Sequence, residues 1–153
     1  LGEIPMVLHP ASLNHVTLGA VGEAALGLYV SSHWNYDFDN PVNRTFMDAW
    51  REKYGDRAVT WYAAQGYDAA LLIATGLENS ASGVDDAEEF RQAMLSATIP
   101  SVRGSFRFGR NQHPVQDWYA LQAVKAEDGS LTLATQSKVL TDHSDIYAAD
   151  CDL

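Results

Sequence analysis

The stretch Trp61–Leu77, WYAAQGYDAALLIATGL, carries a single formal charge, Asp68, in seventeen residues, and this constrains the chain more than any other segment. Its apolar residues fall on every side of a 3.6-residue wheel, which predicts a helix covered from several directions rather than one with a single apolar stripe. Seventeen residues interrupted by Gln65, Gly66 and Asp68 are a poor membrane span. Small residues, among them Ala63, Ala64, Ala69, Ala70, Ala74 and Gly76, would let a sheet or a second helix approach its backbone. Trp61, Tyr62, Gln65, Tyr67 and Asp68 gather at its N-terminal end, where free N–H groups and the helix dipole favour anions. A binding edge there competes with a plainer reading, in which Trp61 and Tyr67 are packing aromatics and Asp68 only complements the dipole.

The rest of the chain must supply what covers that helix, and 153 residues with 46% hydrophobic content are enough for one domain with its own core. Twenty acidic against ten basic residues give a net charge of −10, which argues against nucleic acid or an anionic membrane as a partner. The lone Cys151 has no internal disulfide partner and lies in no metal-ligand spacing. No charged and apolar leader pattern opens the chain, which begins at LGEIPMVLHP.

In chain order, Ile4–His9 suits a buried parallel strand ending at Pro10, and Asn14–Val21 offers two turns of helix. Leu26–Trp34 alternates as a second strand. Asn40-Pro41 is a helix start with Asn as N-cap and Pro at N1, and Val42, Phe46, Trp50 and Tyr54 recur every fourth residue until Gly55. Asn43-Arg44-Thr45 matches a glycosylation sequon, read here as a chance match within a helix. Asp85-Asp86-Ala87-Glu88 predicts the cap of a third helix. From Ser101 the period becomes two, with Val102–Phe108 as a strand, and Asp117–Val124 and Ser130–Thr135 flank Asp128-Gly129 as an antiparallel hairpin. Asp142–Leu153 reads as an acidic tail.

No GxSxG, HExxH, P-loop, EF-hand loop or GxGxxG occurs. The five histidines are scattered, and Asp142-His143-Ser144-Asp145 reads as a solvated polar segment rather than a catalytic or metal cluster. The residues therefore suggest no enzyme, no cofactor and no metal.

The order strand–loop–helix–strand, then Asn40-Pro41 with Phe46, Trp50 and Tyr54-Gly55, then Ala64-Gln65-Gly66-Tyr67-Asp68-Ala69, then VRGSFRFG at 102–109 and Asn111-Gln112-His113-Pro114, resembles the C-terminal portion of type I periplasmic solute-binding proteins of the branched-chain amino acid receptor family. These are the receptor components of ABC importers. The resemblance implies an α/β fold, the C-terminal part of two lobes with parallel sheets flanked by helices and a terminal antiparallel hairpin, with most of the first lobe preceding Leu1. It places 1–34 in the second lobe, 35–100 in the first, 101–141 back in the second, and 142–153 in the tail. The crossings, and with them the hinge, fall at His33, Trp34 and Asn35 and at Pro100 and Ser101.

The same resemblance implies a small-molecule solute and ABC permease subunits as partners, a periplasmic or extracellular location, and sheet edges open to pairing with a second copy. In this family the loop after the first strand often reads Gly-Pro-Glu-Gly, with the acid holding a substrate ammonium. Here His9-Pro10-Ala11-Ser12 stands in its place. Without that acid the expected ligand is an aromatic or aliphatic carboxylate, bonded by His9 or Ser12, with Tyr62 as an apolar wall and Gln65 beside it. The alternatives are a sensor domain of the same fold and, more remotely, a small α/β enzyme.

Overall fold

Helix formation begins most clearly at Asn40. In the computed structural model, which describes residues 4–151, Asn40 is extended and its side chain accepts the Asn43 N–H, capping helix α2 (Pro41–Tyr54). Of the expected four-residue repeat, Phe46 lies in the core with its neighbour Met47, Val42 and Trp50 are partly buried against it, and Tyr54 is exposed; Gly55 ends the helix at φ +63°, where a side chain would be strained. Asn14 caps the shorter α1 (His15–Val21) through a reciprocal box with Thr17. Asp86 caps α4 (Ala87–Ser96) by accepting from the Glu88 and Glu89 N–H groups.

One mixed sheet holds the strands: β1 (Val7–Leu8), β2 (Tyr29–Ser32), β3 (Phe106–Phe108), β4 (Pro114–Lys125) and β5 (Leu131–His143). Only β1 and β2 run parallel, whereas β4 is antiparallel to β2, β3 and β5. Strand β1 is parallel as expected, yet it is not buried: it stands at the end of the strand order, and Val7 is exposed. In register, β2 meets Tyr119–Gln122 of β4, while β3 meets Pro114–Gln116 further along the same strand. The β4–β5 hairpin turns through Asp128-Gly129, with Gly129 at φ +83°, and it is longer than the alternation indicates. β5 runs through Asp142 and His143, so the expected acidic tail begins as strand. Asp142, at φ +48°, gives its N–H to Asp117 Oδ1 at 2.9 Å, and its carboxylate accepts from Arg107 Nη1 at 2.8 Å.

Two apolar clusters result. Leu13, Leu18, Ala25, Val30, Leu121, Ala123 and Leu133 pack α1 onto the sheet. Trp34, Phe46, Met47, Val59, Ala64 and Val102 bind α2 and α3 (Trp61–Asn79) to the connecting segments. The chain passes between the clusters at Ser32–Asn40 and Ile99–Gly104. Asn43, 1% exposed, accepts from Trp34 Nε1 at 2.8 Å and donates to the carbonyls of Tyr36 and Phe38 at 3.0 Å, so the asparagine of the sequon is sealed inside the protein. Asn40 Nδ2 donates to the Val102 carbonyl at 3.0 Å, tying the two passages together.

Helix α3 differs from expectation. Only Ala64, Asp68 and Gly76 are buried, while Ile73 and Leu77 are exposed, so it is not covered from several directions in this chain. Of its small residues only Ala64 and Gly76 are buried, and a Cβ at Gly76 would lie 2.6 Å from Met94 Cγ of α4. Asp68 is also more than a dipole complement. Only 1% exposed, it accepts from Ser101 Oγ at 2.6 Å, Val102 N at 3.0 Å and Arg103 Nε at 2.8 Å, and Arg103 Nη1 continues to Gln116 Oε1 at 2.7 Å. This explains why the period-two run from Val102 yields a strand only at Phe106–Phe108: the Ser101–Arg103 groups are drawn to the helix instead, and a turn closes at Gly104, φ +88°. Among the described residues no helix is long and apolar enough to cross a membrane.

Asp68→Ala leaves the Arg103 guanidinium buried and unpaired, and we expect it to cost about 3–5 kcal/mol in denaturant unfolding. Adding Arg103→Met should recover most of that loss, since the uncompensated charge is what destabilises.

Candidate functional site

Three segments converge where the two apolar clusters meet: the loop after β1, the end of β2 and the start of α3. The loop is shaped by its own backbone, with Ser12 N and Leu13 N donating to the His9 carbonyl at 2.9 and 3.3 Å, and by Asn14 Nδ2 donating to the Pro10 carbonyl at 3.1 Å. Ala11 N donates to His9 Nδ1 at 3.1 Å, which makes Nδ1 the acceptor and leaves Nε2 to carry the proton of the neutral ring.

The His9 ring meets Trp61 edge-on at 5.8 Å between centroids. From the end of β2, His33 meets the same indole at 5.7 Å and Trp118 of β4 at 5.5 Å, both edge-on. Tyr62 stacks on Trp61 at 3.9 Å with 29° between the planes. Trp61 is thus the hub of the group. Among the described residues no carboxylate belongs to it, because the nearby Asp68 is consumed by Ser101, Val102 and Arg103.

His33 is only 5% exposed, and neither its Nε2 nor Trp61 Nε1, an atom likewise shut off from solvent, has a hydrogen-bond partner among the described residues. Burial foremost, with Arg103 and then His9 adding to it electrostatically, pulls the His33 pKa down to about 4. The ring is therefore neutral at pH 7. His15 is also held below its usual value by burial, although Asn35 and Asp37 oppose the shift.

The expected residues divide accordingly. His9 and Tyr62 come together through Trp61. Ser12 is exposed on the same loop, and Gln65 lies half-buried one turn into α3, but neither makes a side-chain hydrogen bond to the group. Among the expected hinge residues, Trp34 is buried, Asn35 donates to the Leu133 carbonyl at 2.8 Å, Ser101 is bound to Asp68, and Pro100 is exposed. His33 and Trp61 are brought into contact although they belong to different elements far apart in sequence, which nothing in the local pattern signals.

A larger cavity, about 560 Å³, lies on the other side of Arg103 between Phe38, Asp117, Tyr119 and Lys138. Its charged groups are already paired: Asp37 accepts from Thr135 N and Oγ1 at 2.9 and 2.6 Å, Arg103 binds Asp68, Asp39 binds Arg44, and Asp117 binds Lys138. Size favours this cavity, but unsatisfied chemistry favours the His33–Trp61 group. Among the described residues no set of three or more His, Cys, Asp or Glu is placed to hold a metal ion.

The sequence profile described as Periplasmic binding protein matches residues 2–129. The Leu/Ile/Val-binding protein homolog 6 of Brucella abortus (strain 2308) is 30% identical over 115 residues, which is 74% of this chain and 29% of that protein. A solute-binding protein of an ABC transporter from R. palustris, solved in complex with benzoate, is 28% identical with a TM-score of 0.80 over 98% of this chain and 39% of its own. A second, from Rhodopseudomonas palustris HaA2 in complex with p-hydroxybenzoic acid, is 25% identical with a TM-score of 0.84 over 98% and 40%. The chain belongs to the periplasmic binding protein family, and its fold is the C-terminal part of a two-lobed member. It spans less than half the length of these relatives.

Because His33 is buried neutral but unfolds to an ordinary histidine, the unfolded state binds more protons between pH 6.5 and 4. Stability is fully present above pH 6.5 and is lost as the pH falls towards 4, by about 3 kcal/mol for this residue. Melting temperatures measured across that range should fall steeply, and His33→Phe should flatten the slope.

Proposed function

We propose that this chain is part of the solute receptor of a periplasmic ABC importer, and that its solute is an aromatic carboxylate. The observation that carries this reading is the composition of the Trp61 group: the rings of Trp61, Tyr62 and Trp118 and the imidazoles of His9 and His33 make it up, with no free acid. An α-amino acid would bring an ammonium with nothing to pair it, whereas a ring-bearing acid offers a flat apolar body and an anion. The two similar receptors solved with benzoate and p-hydroxybenzoic acid support the same solute class.

In this reading His9 and Ser12 contribute polar contacts from the β1 loop, and Tyr62 and Gln65 line the wall on α3. The passages at His33–Asp39 and Pro100–Val102 act as the hinge. The receptor delivers solute to a membrane permease and performs no covalent chemistry. The hydrogen bond from Asn40 to Val102 would make the two passages bend together.

A thermal-shift series tests the solute class, since a ligand that binds only the folded state raises the melting temperature. Benzoate and 4-hydroxybenzoate should raise it, while leucine and benzamide should not. A shift with leucine and none with the aromatic acids would overturn the assignment.

A further inference from the structure

Helix α3 starts without a side-chain cap: Thr60 is extended at the N-cap position but makes no capping hydrogen bond. This contrasts with α1, α2 and α4, each capped by Asn or Asp. Over its 19 residues the helix presents a positive end and free N–H groups at Trp61 and Tyr62. An uncapped helix start is common enough to mean nothing by itself. Here it adjoins His33 Nε2, on a side chain more than nine-tenths buried, and the indole N–H of Trp61, neither of which has a partner among the described residues.

The contact is physical. The His33 and Trp61 rings meet at 5.7 Å, which brings the end of β2 against the helix start. Two unpaired polar atoms under the surface are costly to leave unsatisfied.

We infer that the start of α3, with His33 Nε2 and Trp61 Nε1, is the seat of the ligand's carboxylate, one oxygen accepting from the indole N–H and the other from the imidazole. The inference rests on the aromatic-acid reading and deepens it by naming which groups read the anion. It moves His33 from the hinge to the ligand, and it makes Trp61, rather than Tyr62, the discriminating aromatic. Reaching the seat requires a side chain to turn. Tyr62, 56% exposed and stacked on Trp61, has the room to do so.

The groups facing His33 are Arg103, His9 and the Trp61 and Trp118 rings, all cationic or neutral. A bound carboxylate supplies the missing negative charge and draws a proton onto the imidazole. Affinity for an aromatic acid therefore rises as the pH falls from about 7 towards about 5, where the ligand is still ionised.

The test is a titration of the ¹⁵N-labelled protein with benzoate, up to on the order of 10 mM so that millimolar binding is detected, followed by NMR at pH 7 and pH 5. The chain has four tryptophans, so the Trp61 indole signal is assigned by its absence in Trp61→Phe. Benzoate should move that signal and the His33 ring signals, bind more tightly at pH 5, and lose about tenfold or more in affinity in Trp61→Phe and in His33→Phe. If benzoate binds but both ring signals stay still, the inference fails while the aromatic-acid reading stands; the wild-type spectra decide this even if a variant does not fold. If no signal anywhere responds to benzoate or 4-hydroxybenzoate, both fail.

Discussion

The Asp68 carboxylate is the constraint on which the rest of the structure depends. It is the only formal charge in the first seventeen residues of α3, it is buried, and its two oxygens are shared among a hydroxyl, a backbone N–H and a guanidinium. Removing a carboxylate from water is costly unless it is fully paired, so the 101–103 segment has little freedom once α3 forms. Through Arg103 and Gln116 the same carboxylate reaches β4. One carboxylate thereby sets the position of the helix layer relative to the sheet, and with it the place where Trp61 meets His33.

Local structure was legible wherever a residue type has a backbone job to do. Asn40-Pro41, Asp86 and Gly55 mark helix ends by capping or by φ, and Asp128-Gly129 marks the hairpin, because these effects act within a few residues. The long-range partners were not legible. Asp68 and Ser101 are 33 positions apart, and no periodicity relates a helix carboxylate to a serine in a later connection. The extent of β5 was hidden for a similar reason: Asp142 and His143 carry no strand propensity, and Asp142 joins the sheet because Asp117 and Arg107 hold it there. The wheel of α3 indicated burial on all sides, but a wheel reports what a helix is able to bury, not what this chain supplies to cover it.

The candidate site was half visible. His9, Ser12 and Tyr62 follow from the loop after the first strand and from the spacing before Tyr67, both of which come from the family resemblance. That His33 and Trp61 share one contact depends on how β2 ends against the start of α3, a tertiary fact. The cavity by Lys138 shows the converse: a large hollow whose charges are already spoken for has little left to offer a ligand, however well its shape suits one.

Helix α3 is held in its first half by the Asp68 anchor and by Ala64 in the second apolar cluster, and towards its far end by Gly76 against Met94. Because that cluster is separate from the one that packs α1 onto the sheet, the helix layer can loosen while the sheet and α1 stay folded. This separation sets an order of opening: the helices of the second cluster with the passages they restrain first, and the core between Leu13 and Leu133 last. The residues that gather around Trp61 sit on the boundary between the part that opens and the part that does not.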